Sequence, residues 1–86
     1  MERGARPEEI EQLKATLEEA EATYRQARAE LERNEPLVKD RIITESEFDV
    51  SVARVDRTAA QVKKAREDLN IGKAGAREED LEAKRS

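Results

Sequence analysis

The chain has 86 residues, 44% of them charged and only 36% hydrophobic, with one Tyr, one Phe and no Trp. So short and polar a chain cannot wrap a thick core, and suits either disorder or helices that bury one thin stripe. Its 17 basic and 21 acidic residues are interspersed to a net charge of −4, and it has neither Cys nor His. Disulfides, thiol catalysis, imidazole acid–base chemistry and structural zinc sites of Cys/His type are therefore excluded.

The same composition argues against nucleic acid as a partner, since base-stacking aromatics are almost absent and no basic patch stands out. No apolar run approaches the roughly 20 residues of a membrane span, and no signal-peptide core follows Met1. Direct membrane insertion by this stretch is not expected.

Residues 1–6 form a polar lead-in. Pro7 sits where proline is best tolerated, in the first turn of a helix, and Glu8 and Glu9 complement the positive end of the helix dipole. Apolar residues then fall at Ile10, Leu13, Leu17, Ala20, Tyr24, Ala27 and Leu31, with Asn34 and Val38 next in register. Spacings that alternate three and four define a heptad seam. Pro36 lacks an N–H and disfavours helical geometry at Glu35, which predicts a helix end near Asn34.

The next stretch, residues 35–44, reads as a tip. Thr44-Glu45-Ser46-Glu47 has the form of a capping box, in which the Thr44 hydroxyl accepts from the Glu47 N–H and the Glu47 carboxylate reaches back. Ile43 is placed as a hydrophobic staple against Phe48. A second helix follows, with apolar positions at Phe48, Val52, Val55, Ala59, Val62 and Leu69, broken at Arg66 and partly covered there by Ala65. Gly72 is positioned as its C-terminal cap. Folding about residue 41 pairs Leu31 with Val52, Ala27 with Val55 and Leu13 with Leu69.

A final echo completes the pattern. Gly75 to Lys84 (GAREEDLEAK) repeats Gly4 to Leu13 (GARPEEIEQL), with Leu81 standing where Ile10 stands. It reads as the first turns of a third helix. The expected fold is all-α: an antiparallel two-helix coiled-coil hairpin with the start of a third helix at the C-terminus. Its parts are a first helix over 7–34, a tip over 35–44, a second helix over 45–71 and a third beginning near 76. The abrupt start inside a helical pattern reads as the mark of an excised fragment.

Chemistry is sparse. Acidic pairs such as Glu8/Glu11 and Glu18/Glu21 are unavoidable among so many carboxylates, and become an acid–base site only when burial separates their pKa values. A two-helix stalk offers no such pocket, and the three glycines make no phosphate loop. An enzyme, a cofactor and a metal site are not expected.

The tip, Leu31–Asp49 (LERNEPLVKDRIITESEFD), resembles the hairpin tip of HlyD-type membrane fusion proteins, the periplasmic adaptors of tripartite efflux and type I secretion systems. In the efflux branch an arginine is followed four residues on by a leucine and seven residues later by a serine. Here that spacing gives Arg33, Leu37 and, in place of serine, Thr44. The starts GARPEE and GAREED are similar to helix starts at the base of such hairpins.

The resemblance implies docking of Arg33, Leu37 and Thr44 on the helical end of a TolC-like outer-membrane channel. It also implies a periplasmic location, an inner-membrane transporter engaged through lipoyl-like, β-barrel and membrane-proximal domains outside this stretch, and self-association in the full adaptor. The residues alone leave open a structural coiled-coil spacer or dimerisation module, since Thr44 is explained by capping and Arg33 could pair with Glu30 or Asp40. A helical RNA-binding arm is the third reading, and the acidic balance argues against it.

Overall fold

The computed structural model describes the backbone of residues 6–85 and the side chains of residues 6–76. Two helices, α1 (Pro7–Lys39) and α2 (Glu45–Arg85), pack side by side as a hairpin, in a rod of 68 × 16 × 15 Å. Arg6 is the extended residue at which α1 starts, and its carbonyl accepts the first helical bond from the Ile10 N–H at 2.9 Å. The seam of α1 is the one its periodicity predicts: Ile10, Leu13, Leu17, Ala20, Tyr24, Leu31, Asn34 and Val38 are half-buried and Ala27 is buried.

Two predicted helix ends are not there. The helix expected to stop near Asn34 runs through Pro36 to Lys39. Pro36 is on the exposed face, so its ring meets solvent, and what it forfeits is one ladder bond to Glu32. Leu37 and Val38 meanwhile stay half-buried, which rewards continuing the helix past the proline.

The second correction is at Gly72, which does not cap. No glycine among the described residues has positive φ, and α2 continues without interruption to Arg85. The residues read as a separate third helix from 76 are therefore the last turns of α2. Their side chains, Leu81 among them, lie outside the described residues. A helix-interior glycine costs about 1 kcal/mol, a small sum beside the loss of a continuing seam.

The seam of α2 also differs from its apolar pattern. Ser51, Thr58, Ala65 and Leu69 are buried, whereas Ala59 and Arg66 are exposed and Val52 is only half-buried. Phe48, Val55, Val62, Gly72 and Ala76 complete the stripe as half-buried positions. Phe48, Val55, Val62 and Leu69 thus keep their expected places, while the alternate seam positions move back by one residue, from Val52, Ala59 and Arg66 to Ser51, Thr58 and Ala65.

Magnitudes explain that choice. The valine phase would carry Arg66 into the seam, and burying an uncompensated guanidinium costs several kcal/mol. Turning the helix puts Ala65 there instead. The hydroxyls it buries are satisfied: Thr58 Oγ1 donates back to the carbonyls of Arg54 (2.8 Å) and Val55 (3.1 Å). Ser51 Oγ accepts from Asn34 Nδ2 at 2.6 Å. Arg66, released outward, reaches Glu21 at 3.9 Å.

Asn34–Ser51, together with the Glu30–Arg54 ion pair at 2.7 Å, sets the levels along the rod. Ala27 stands level with Thr58, Ala20 with Ala65, and Leu13 with Gly72, so the fold turns slightly further along the chain than residue 41. Where two alanines share a level the seam is underfilled, and a shallow groove opens there, lined by Thr16, Ala20, Thr23, Gln61 and Ala65. No large side chain is fully buried among the described residues. The interhelical ion pairs are more than a third exposed, which limits each to under about 1 kcal/mol.

Register therefore hangs on the Asn34–Ser51 hydrogen bond. Asn34→Ala and Ser51→Ala are each expected to lower stability by about 1 kcal/mol, the ordinary worth of a neutral hydrogen bond. A double-mutant cycle in urea should return a coupling of similar size. A coupling near zero would mean that the bond contributes nothing to the fold.

Candidate tip interface

The tip is built from two interlocked caps. At the end of α1, Asp40 closes the helix and Arg41 takes a left-handed backbone with φ of 60°. The Arg41 N–H then donates to the Val38 carbonyl at 3.2 Å and the Ile42 N–H to the Leu37 carbonyl at 2.8 Å. Those two bonds are the Schellman motif, which satisfies carbonyls that a helix end leaves orphaned. Glycine usually holds the left-handed position because a Cβ there is penalised, and here an arginine holds it.

Two residues after Ile42 stands Thr44, the N-cap of α2. The Thr44 hydroxyl accepts from the Glu47 N–H at 3.0 Å, and the Thr44 carbonyl accepts the first helical bond from Phe48, also at 3.0 Å. One half of the expected capping box is thus formed. Glu47 is exposed, and its carboxylate does not make the return bond. Ile43 and Phe48 are both half-buried, as a hydrophobic staple requires. Glu45 and Glu47 lie in the first turn, where negative charge suits the helix dipole.

The three residues singled out by their spacing all lie at this end of the rod. Because α1 does not break at Pro36, Arg33 and Leu37 lie four residues apart on one helical face, roughly 6 Å along the axis. Arg33 is exposed and forms no hydrogen bond or ion pair among the described residues. Glu30, its expected local partner, is held by Arg54 at 2.7 Å, and Glu32 is taken by Arg28 at 3.8 Å.

Leu37 is half-buried, and its carbonyl is the anchor of the turn. Thr44 is exposed. Since its hydroxyl oxygen accepts within the cap, its proton is left to donate outward. No hydrogen bond joins these three side chains to one another. Arg33 and Leu37 share a helical face, and all three share one end of the rod.

Two tip residues were not singled out from the sequence. Ile42 is 68% exposed, beside a notch lined by Val38, Ile43 and Thr44. Arg41 adjoins it, exposed and unpaired among the described residues. The available signal was the pair Ile42-Ile43 between two caps, since a turn this short has staple room for one isoleucine only.

A rod of two helices joined by a capped, solvent-facing tip is an α-helical hairpin domain. A family model for the YBHG alpha-helical hairpin domain matches residues 1–86, and the chain belongs to that family. Neither a curated protein nor a solved structure matches it significantly.

The caps give opposite predictions for two substitutions. Thr44→Ala should cost about 1 kcal/mol through the lost N-cap bond. Arg41→Gly should gain about 0.5–1 kcal/mol, because relief of the left-handed strain exceeds the added unfolded-state entropy. Thermal or urea unfolding reads both, and a destabilised Arg41→Gly would contradict the left-handed assignment.

Proposed function

We propose that this hairpin is the docking arm of a periplasmic adaptor, or membrane fusion protein, that links an inner-membrane transporter to a TolC-like outer-membrane channel. The observation that carries the reading is Arg33. It is an exposed guanidinium left without a partner at the tip of a hairpin whose family is of the adaptor type. On the same helical face stands Leu37, and Thr44 follows at the spacing described above.

In this mechanism the helices act as a spacer. Their seam fixes the tip relative to the base, and the two caps hold the turn in one conformation, which reduces the ordering cost of association. Arg33 docks through charge-assisted hydrogen bonds to carbonyl or carboxylate oxygens at the channel's helix ends. Leu37 supplies apolar contact beside it, and the free proton of Thr44 donates across the turn. The inner-membrane transporter is engaged by other domains of the adaptor, which self-associates, and the hairpin works in the periplasm.

A coiled-coil spacer without tip recognition is the competing reading. It draws on Thr44, whose conformation the N-cap explains without any partner. Arg33 separates the two, because a spacer gives that side chain no duty.

The test is binding or cross-linking of the full adaptor to its channel with Arg33→Asp and Leu37→Ser. Each substitution should weaken assembly by about tenfold or more, as loss of a well-placed interface contact does. Arg33→Asp should leave helical content unchanged, because that side chain is exposed, and helical melting of Leu37→Ser, which removes a half-buried side chain, separates lost contact from lost structure. Undiminished assembly with both changes together would remove the tip from the mechanism and favour the spacer.

A further inference from the structure

We propose that Ile42 is the apolar anchor of the tip: it inserts into an apolar socket on the partner's helical end while the Arg41 and Arg33 guanidiniums hydrogen-bond to acceptors around the socket's rim. This rests on the docking reading above. It adds to that reading a residue outside the Arg33, Leu37 and Thr44 set, and a chemical description of the surface that receives it.

The apolar side chains of the turn divide between the hairpin's end and solvent. Leu37, Val38, Ile43 and Phe48 are all half-buried and close the end of the hairpin. Ile42 alone among them is turned to solvent, at 68% exposure. A Schellman turn commonly lays this residue against the helix it terminates. Leu37, at the matching helical position, is already half-buried, and Ile42 remains mostly uncovered.

The exposure does not come from a loose loop. The Ile42 N–H is tied to the Leu37 carbonyl at 2.8 Å, and the same carbonyl accepts from Ile43 at 3.3 Å. The side chain is thus held on a preorganised backbone, which lowers the cost of placing it in a partner.

The backbone at Arg41 points the same way. A left-handed residue here would normally be glycine, and the chain instead carries a strained arginine at φ of 60°. Strain of this kind persists where the residue has another use. Arg41 is exposed and without a partner among the described residues, as is Arg33. A fixed isoleucine flanked by unpaired guanidiniums matches the make-up of an interface centre, in which an apolar anchor fills a pocket and arginines bond around it.

Among the described residues two other large apolar side chains are exposed, Val50 at 57% and Ile71 at 71%. Val50 lies in the second turn of α2, near the tip, and Ile71 lies toward the other end of the rod. Ile71 is a matched control for loss of an exposed isoleucine far from the tip.

The experiment measures binding of the full adaptor to a purified TolC-like channel in detergent at constant salt. It compares Ile42→Ser, Ile42→Leu and Ile71→Ser with the parent, and records helical melting for each. Ile42→Ser is expected to weaken binding by about tenfold or more. Ile42→Leu should keep binding within about threefold and Ile71→Ser should leave it unchanged, with melting the same throughout.

Parental binding by Ile42→Ser, alongside weakened binding by Arg33→Asp, overturns the anchor and leaves the docking reading standing. Absence of binding by the parent adaptor itself sinks both. Loss of adaptor self-association in Ile42→Ser, with channel binding intact, would assign the side chain to a second copy and also overturn the proposal.

Discussion

The Asn34 amide, donating to the Ser51 hydroxyl at 2.6 Å, sets the level at which α2 stands against α1. A polar residue at a seam position costs stability yet specifies register, because any slip leaves its hydrogen-bonding groups unpaired in a half-dry place. The rest of this seam is too thin to impose a register by shape. Its buried residues are Ala27, Ser51, Thr58, Ala65 and Leu69, and small side chains fit many alignments. One polar pair near the turn therefore carries more information than the apolar contacts that supply most of the burial.

The geometry of the tip follows from that constraint. Beyond Asn34, the half-buried Leu37 and Val38 keep α1 helical past its proline, and Leu37 arrives at the position where its carbonyl can terminate the helix. The Schellman turn then pairs the Leu37 and Val38 carbonyls, and the Thr44 hydroxyl takes the Glu47 N–H, across a connection of five residues. Very little freedom is left in the connection. A turn with so few degrees of freedom presents Arg33, Arg41 and Ile42 in fixed relation to the rod, and the rod sets their distance from whatever holds its base.

Much of this was legible in the chain. The seam of α1 follows directly from the three-four spacing of Ile10 to Leu31, and Thr44 announces the start of α2 because capping is local chemistry. The phase of α2 was not legible from hydrophobicity, since Ser51 and Thr58 count as polar until their hydroxyls are seen to be satisfied. Arg66 was the available clue: an arginine in a seam is better read as evidence for the neighbouring phase than as a defect.

Pro36 and Gly72 misled for a related reason. Each carries a local penalty of one to about three kcal/mol as a helix breaker, and a continuing interhelical seam offsets penalties of that size. At the tip, the spacing of Arg33, Leu37 and Thr44 was visible in the sequence. The exposure of Ile42 was not, because it depends on which of two adjacent isoleucines the cap turns inward.

The register is the claim on which everything else stands, and the chain's lack of cysteine makes it directly measurable. Paired cysteines replace Ala27 and Thr58 in one variant, and Leu31 and Val52 in another, leaving Asn34 and Ser51 in place, and both are exposed to mild oxidation. The account predicts rapid intrachain cross-linking of the 27–58 pair and little of the 31–52 pair. Preferential cross-linking of 31–52, or bridges formed only between chains, would contradict it.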